Sequence, residues 1–411
     1  MKSSDLCPAR QQRLVDVPEY PGAKALVPPL TPRWVPASGA EREIARAHEA
    51  LGALKALAVR LPNPDLIART LDRREAVRSS QLEGTQSDVN DLLAYEATGS
   101  GEGLPADVGV TLNYVRALGH GLAQVRSVGG PEALKGSLIK GCHKRLMEGV
   151  EDYKGVPGEY RHLQNWIGGF RIYDARFVPP PPEQVQGCMD DLEAYLRHPE
   201  GEDQQMVAGV VLRMAIAHAQ FETIHPFVDG NGRTGRILMP LMLAAEGYPP
   251  VYLAGFLKAN QRAYHDALLG VQLRDEWEAW VGFLAEGVTV AAQEAIGIAD
   301  ELVAIQGRWQ QKVAAAGIRA DAAINKLPEL LIGAPVVTVN QVKEYLGISF
   351  PAANNALALL ERMGVLALSD RQKRNRVFVA KEVIDVLEQP SAGAKKIITA
   401  AGRRMLLGPT K

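Results

Sequence analysis

Apolar side chains recur at intervals of three and four along most of the chain, the spacing that gathers them on one face of an α-helix. Between Glu41 and Arg60 the series is Ile44, Ala47, Leu51, Leu54 and Leu57, and Pro62-Asn63-Pro64 ends it. A second helix starts near Asp65 and runs through Leu66, Ile67, Leu71 and Val77 to about Leu82. There Glu83-Gly84-Thr85 breaks the pattern, and Ser87 can cap the helix that follows. The same spacing predicts helices over roughly 108–125, 131–147, 182–197 and 204–222. In the last of these Val207, Val210, Val211, Met214, Ala217, His218 and Phe221 form one stripe, which should bury it. The apolar run resumes from Ile237 to Glu246, with Pro240 expected in the first turns, and a long helical region follows Asp275 to about Ala316.

Three segments depart from this pattern. Residues 1–37 carry Pro18, Pro21, Pro28, Pro29, Pro32 and Pro36, which prevent a regular helix and predict an extended arm packed on the body. Phe170 to Val178 alternates and stops at Pro179-Pro-Pro-Pro182, which reads as a short exposed hairpin. Beyond Ala316, Thr338 to Leu346, a turn at Gly347, and Ser349 to Met363 form two short helices. Val365 to Leu368 and Val377 to Val379 can then pair across a basic turn, the pattern of a winged helix-turn-helix. The fold class is therefore mainly α, with a small β-hairpin and a C-terminal winged helix-turn-helix.

Composition adds exclusions. A chain of 411 residues exceeds one ordinary core. Its 46 basic and 47 acidic residues leave no whole-chain field toward nucleic acid or lipid, so any such attraction must be local. Cys7, Cys142 and Cys188 have no metal-like spacing and fit a reducing compartment. The start lacks an apolar signal core, and no run of about 18 apolar residues occurs, so a cytoplasmic protein without a membrane partner is expected.

The densest chemistry lies in His225-Pro-Phe-Val-Asp-Gly-Asn-Gly-Arg-Thr-Gly-Arg236, at the start of a helix. Gly230, Gly232 and Gly235 allow tight turning and close approach, and the free amides and positive dipole end favour an anion, phosphate above all. Arg233 and Arg236 add forked cations, and Asp229 adds a hard oxygen of the kind Mg2+ uses alongside phosphate. His225 is the side chain that can take a proton near neutral pH. A lone histidine before proline is more often a turn residue, but this combination is hard to explain as turn chemistry. Gly230-Asn-Gly232-Arg-Thr-Gly235 also satisfies G-x-G-x-x-G, yet a helix precedes it where a dinucleotide fold needs a strand.

The segment resembles the signature of the Fic family, H-x-F-x-[DE]-G-N-G-R-x-x-R, without departure. That family mostly transfers AMP from ATP to protein hydroxyls. The resemblance implies that His225 deprotonates the target hydroxyl, that Phe227 anchors the loop, and that Asp229 holds Mg2+ between the α- and β-phosphates. It further implies an ATP site made by Gly230, Asn231, Gly232, Arg233, Thr234, Gly235 and Arg236, the first three lining the anion hole and the arginines gripping the outer phosphates. Related kinases carry lysine where this chain has Gly232, which disfavours phosphate transfer. Near Asn260 the family shows paired tyrosines around the adenine; here Tyr264 is followed by His265. The region from Gly158-Glu-Tyr-Arg161 to Pro182 is similar to the family's flap, so Trp166, Ile167 and Gly168 would dock a target segment, added as a strand. The domain division implied is 1–105 for an arm and regulatory helices, 106–316 for the Fic core, 317–388 for the winged helix and 389–411 for a basic tail.

Ser79-Ser-Gln-Leu-Glu83-Gly84 matches the family's inhibitory pattern [ST]-x-x-x-E-[GN]. A glutamate at a helix end opposes the dipole, costing about 0.3 to 1 kcal/mol, so a nearby cation is expected. Arg236 is the candidate, with Ser79 fixing the Glu83 carboxylate. As for partners, the target protein is not legible, and self-modification and a homodimer stay open. The stretch Asp370 to Lys411 has ten basic and four acidic residues, with Arg371, Lys373, Arg374 and Arg376 in the wing, so DNA contact stays open. Helix Ser349 to Met363, however, offers only Asn354, Asn355 and Arg362 for groove reading. Two rival functions remain: removal of AMP by the same site, and a nucleotide-sensing regulator that binds DNA.

Overall fold

Helices form where the three-and-four spacing places them. The computed structural model describes residues 1–197, 209–319, 322–369 and 376–390. Its elements are α1 (Pro8–Gln11), β1 (Leu14–Asp16), β2 (Lys24–Leu26), α2 (Glu41–Arg60), α3 (Pro64–Leu82), α4 (Val89–Thr98), α5 (Val108–Val128), α6 (Gly136–Met147), α7 (Pro182–Arg197) and α8 (Val210–Ile224). They continue as α9 (Asn231–Ala245), α10 (Ala254–Ala259), α11 (Gln261–Arg274), α12 (Trp277–Ala315), α13 (Leu327–Gly333), β3 (Val336–Thr338), α14 (Val339–Leu346), α15 (Phe350–Arg362), β4 (Ala367–Leu368), β5 (Val377–Val379) and α16 (Lys381–Glu388). The described residues fall into two compact units, one of 1–55 and 116–292, the other of 56–115 and 293–390.

The first unit is built around α8, which packs on α7, α9 and α11. Every residue of α8 is buried, so the apolar stripe understates it: besides the stripe's own His218, the polar positions Arg213, Gln220, Glu222 and Thr223 are inside as well. Each needs a partner there. Arg213, for instance, pairs with Glu246 and donates to the Leu196 carbonyl at 3.2 Å. The expected start near 204 and the stripe's Val207 lie outside the described residues. Helix α9 begins at Asn231, six residues before the expected Ile237, because Gly230 turns the chain at φ 79°. Pro240 is thus in the interior of α9 and not in its first turns.

The N-terminal arm is extended but not featureless. β1 and β2 pair antiparallel with Leu14 opposite Leu26, and Leu6 and Leu26 bury against Phe177 and Leu273. Val17, Ala23 and Ala25 cover Ile172, Ala175 and Val178, with Tyr20 edge-on to Trp166 at 5.8 Å. The alternating segment after Trp166 forms no regular hairpin. It closes through one bridge, Ile167 to Phe177, and then arches through a 3-10 turn at Ile172–Asp174. Gly168 and Gly169, at φ 68° and 87°, turn the chain out of the ladder after that pair.

In the second unit α3 packs on α13 and α16, and α4 packs on β3. Arg74, buried on α3, pairs with Glu294 at 2.6 Å and donates to the Leu387 and Gln389 carbonyls, capping the C-terminal end of α16. Arg78, one turn on, donates to the Glu388 and Gln389 carbonyls at 3.2 Å. Asp88, not Ser87, caps α4, forming a reciprocal box with Asp91; Ser87 instead bonds Asp107. Helices α14 and α15 turn at Gly347, and the sheet order is β3-β5-β4, antiparallel throughout. Strand β3 was not expected; Thr338 ends it and caps α14. Arg376 reaches back to Asn354 and Glu361 of α15. Arg371, Lys373 and Arg374 of the basic turn, and residues 391–411 of the tail, lie outside the described residues.

Candidate active site

Helix α8 ends at His225, which takes the left-handed conformation (φ 48°, ψ 61°) that L-residues adopt at a cost of about 1–2 kcal/mol. Several groups hold it there. Arg161, 2% exposed, donates from Nε to the His225 carbonyl at 2.9 Å, and from its other nitrogens to the Leu163, Pro180 and Ile224 carbonyls. The Arg161 amide donates to the Pro226 carbonyl at 2.9 Å. Asn165 Nδ2 reaches the Phe227 carbonyl at 3.1 Å, and Asn231 accepts from the Phe227 amide and donates to its carbonyl, both at 2.8 Å. The Asn231 side chain is therefore committed to the loop, and what this residue offers a ligand is its backbone.

Phe227 is fully buried and stacks on His143 of α6 with centroids 3.7 Å apart. The His143 ring is fixed at both nitrogens. Nδ1 accepts from the Gly158 amide at 2.9 Å, so Nε2 carries the proton and donates to the Asp229 carbonyl at 3.0 Å. A Cβ on Gly230 would meet Met147 Sδ at 2.9 Å and His143 Nε2 at 3.4 Å, so space as well as φ requires glycine. Burial lowers the His143 pKa from 6.5 to about 4. A histidine depressed on folding leaves the unfolded chain binding more protons between those values, so stability falls as pH drops from about 6.5 to 4, by about 3 kcal/mol in all. Thermal unfolding of His143→Asn followed from pH 7 to 4 is expected to lose this part of the acid sensitivity. Parallel losses in the two proteins would remove His143 as the cause.

The first turn of α9 presents the amides of Asn231, Gly232 and Arg233, ahead of the first helical bond from Thr234 N to the Gly230 carbonyl at 3.0 Å. The Thr234 hydroxyl bonds that same carbonyl at 2.8 Å, so it closes the turn. Asp229 caps the approach: one oxygen accepts from the Gly230 amide at 2.6 Å, the other lies 3.6 Å from Arg233 Nη2, and the side chain is 68% exposed. Arg233 and Arg236 are buried, at 6% and 2%. Gly235 faces α8 so closely that a Cβ would meet Glu222 Oε1 at 2.5 Å.

Behind the loop His218 donates from Nδ1 to the Gly235 carbonyl at 3.2 Å, which makes Nε2 the acceptor for the Tyr264 hydroxyl at 2.9 Å. Tyr264 is 3% exposed and packs on Trp280 and Phe283, so the structure places it in the core, with its hydroxyl turned to His218. His265 is exposed beside it. Trp166 and Ile167 are half-buried and Gly168 is exposed, one to three residues after Asn165, which bonds the loop. Phe170, 94% exposed, extends from the same arch. Glu83 stands just past α3 in the second unit, an exposed C-cap whose amide donates to the Ser80 carbonyl, and Ser79 is buried.

His143, Arg161, His218 and Glu222 carry much of this geometry, and none of the four stands out in the sequence as a catalytic group: each is there a helix or flap position. His143 had a signal, since it falls on the buried face of α6 with Ile139, Cys142 and Leu146. Arg161 had none, because its partners are backbone carbonyls from three segments.

Residues 41–123 match the Fic/DOC family N-terminal model, and residues 133–243 match the Fic/DOC family model. Proteins named protein adenylyltransferase Fic from Culex quinquefasciatus and Aedes aegypti are 33% and 34% identical to the chain over 144 residues, 35% of its length. Those 144 residues are 25% and 26% of the two relatives, so the chain spans about a quarter of the length of the curated proteins it matches. A Fic domain containing signaling protein from Bacteroides thetaiotaomicron superposes with a TM-score of 0.51 at 22% identity, over 63% of this chain and 97% of that one. That likeness is one of fold.

Proposed function

Since this chain carries the paired domains of the Fic/DOC family, we propose that it is a protein adenylyltransferase, moving AMP from ATP to a hydroxyl side chain of a target protein. The observation that carries the reading is the setting of His225. Its Nδ1 is buried while the side chain keeps 20% exposure, so the accessible edge of the ring is the one opposite Nδ1. The loop that His225 begins leads into a helix N-terminus with two buried arginines, where phosphates are favoured. The target hydroxyl oxygen bonds to the α-phosphorus as its proton passes to His225 Nε2. The bond from that phosphorus to the bridging oxygen breaks, and pyrophosphate leaves. Arg233 and Arg236 neutralise the charge gathering on the leaving group.

Asp229 fits a divalent cation. It offers a largely exposed carboxylate with one oxygen 3.6 Å from its nearest cation, and Mg2+ is ordinarily held by one or two carboxylates together with phosphate oxygens and water. Mg2+ would supply charge neutralisation between the phosphates. Three free cysteines accord with a cytoplasmic setting, and no helix among the described residues is long and apolar enough to cross a membrane.

Intact-mass measurement after incubation with ATP and Mg2+, alone and with cell extract, tests the proposal. One AMP added to the chain or to an extract protein is expected. ATP binding without any labelling would favour a nucleotide-sensing regulator, and loss of AMP from a pre-labelled target would favour removal. The inhibitory pattern at Ser79–Gly84 adds an expectation of its own: Glu83→Gly raises the labelling rate at least about tenfold. Equal rates in the two forms would remove the brake.

A further inference from the structure

Glu222 lies one turn before His225 on α8, its side chain 7% exposed, and no step of the transfer has yet used it. An ionised carboxylate in that setting costs several kcal/mol unless partners compensate. Burial pushes its pKa up, but the neighbouring His225 imidazole, His218 and the Arg236 guanidinium outweigh burial and hold it below the ordinary value. The group is thus kept as an anion within the core. Its position is fixed by the close approach of α9 at Gly235, where even a methyl group would strike Oε1.

Two polar atoms in this corner are buried without a hydrogen-bond partner: Glu222 Oε1 and His225 Nδ1. Glu222 Oε2 lies 3.7 Å from that Nδ1, just outside hydrogen-bond distance. A neutral imidazole has one donor and one acceptor nitrogen. A proton on Nδ1 leaves Nε2 on the accessible edge able to receive another. A proton on Nε2 would leave a buried acceptor facing a buried anion. Of the neighbouring groups, His218 is occupied at both nitrogens by Gly235 and Tyr264, so it cannot take this role. Movement of less than about 1 Å closes the gap, and catalytic hydrogen bonds are commonly long before substrate binds.

We propose that Glu222 is the positioning residue of the base: its carboxylate accepts the His225 Nδ1–H and holds the ring in the tautomer whose Nε2 takes the target's proton. This rests on the transferase reading for its consequence, but the pairing itself can be observed without turnover. In the free protein labelled with 15N-histidine, with the signal identified by its loss in His225→Ala, the shifts should report protonation at Nδ1. Protonation at Nε2 overturns the proposal whether or not the chain transfers AMP.

The isosteric Glu222→Gln then separates roles in the reaction. We expect kcat to fall about 100-fold with KM for ATP within about twofold of the parent, because the affected group is the base. The alternative, in which Glu222 acts only through Arg236, predicts the reverse split: KM raised and kcat preserved. If Glu222→Gln proves unstable, the tautomer of the parent protein still decides the question. If the parent labels nothing, the transferase reading fails while the 15N result stands or falls by itself.

Discussion

Replacing His225 by alanine is expected to lower AMP transfer by about a thousandfold or more, while ATP still binds. General-base catalysis contributes roughly 10² to 10⁴ to a rate. The proposed base is separate from the groups that would hold the nucleotide, because the amides of Asn231 to Arg233 and the two arginines belong to α9. Alanine carries a complication. It is poorly suited to φ 48°, so lost activity could come from a relaxed loop. His225→Asn is the companion, since asparagine tolerates the left-handed region and cannot act as a base near neutral pH. Radiolabel transfer and calorimetric ATP binding should show both variants inactive and both binding. Transfer retained in the asparagine variant would reassign the proton acceptor.

What the sequence disclosed and what it hid divide along physical lines. Local periodicity marks which face of a helix is apolar, so α2 was legible to both ends and α12 nearly so. It does not tell how many neighbours a helix has, and α8, buried on every side, read as one stripe with a polar back. Gly230 explains the misplaced start of α9: its positive φ lets the helix begin at Asn231, so the proline expected at the entrance falls at the tenth position. The chemistry of 225–236 was legible because its residues are contiguous. The supports that fix them are not. Arg161 and Asn165 reach the loop from 60 or more positions away, and His143 from 86. Tyr264 shows the converse: a residue expected around the adenine is buried and bonded to a core histidine that no spacing links to it.

Arg161 gives the second large effect, in positioning. Its guanidinium is buried, burial lowers its pKa to about 10, and its donors go to carbonyls of α8's last turn, the flap entrance and the proline run. Methionine would fill similar volume and leave those carbonyls unpaired, and the end of α8 would lose a cation at its negative dipole end. A buried carbonyl left without its donor typically costs about 1 to 3 kcal/mol, and several lose theirs here. Because the chain has two compact units, one global unfolding energy would blur the effect. Amide exchange across 222–231 is the sharper measure, and a local loss of about 3 kcal/mol should speed it by about a hundredfold in Arg161→Met. Arg161→Lys keeps the charge but not the fork, so it should fall between parent and methionine. Exchange in this segment unchanged in Arg161→Met would show that Asn165 and Asn231 alone hold the left-handed turn.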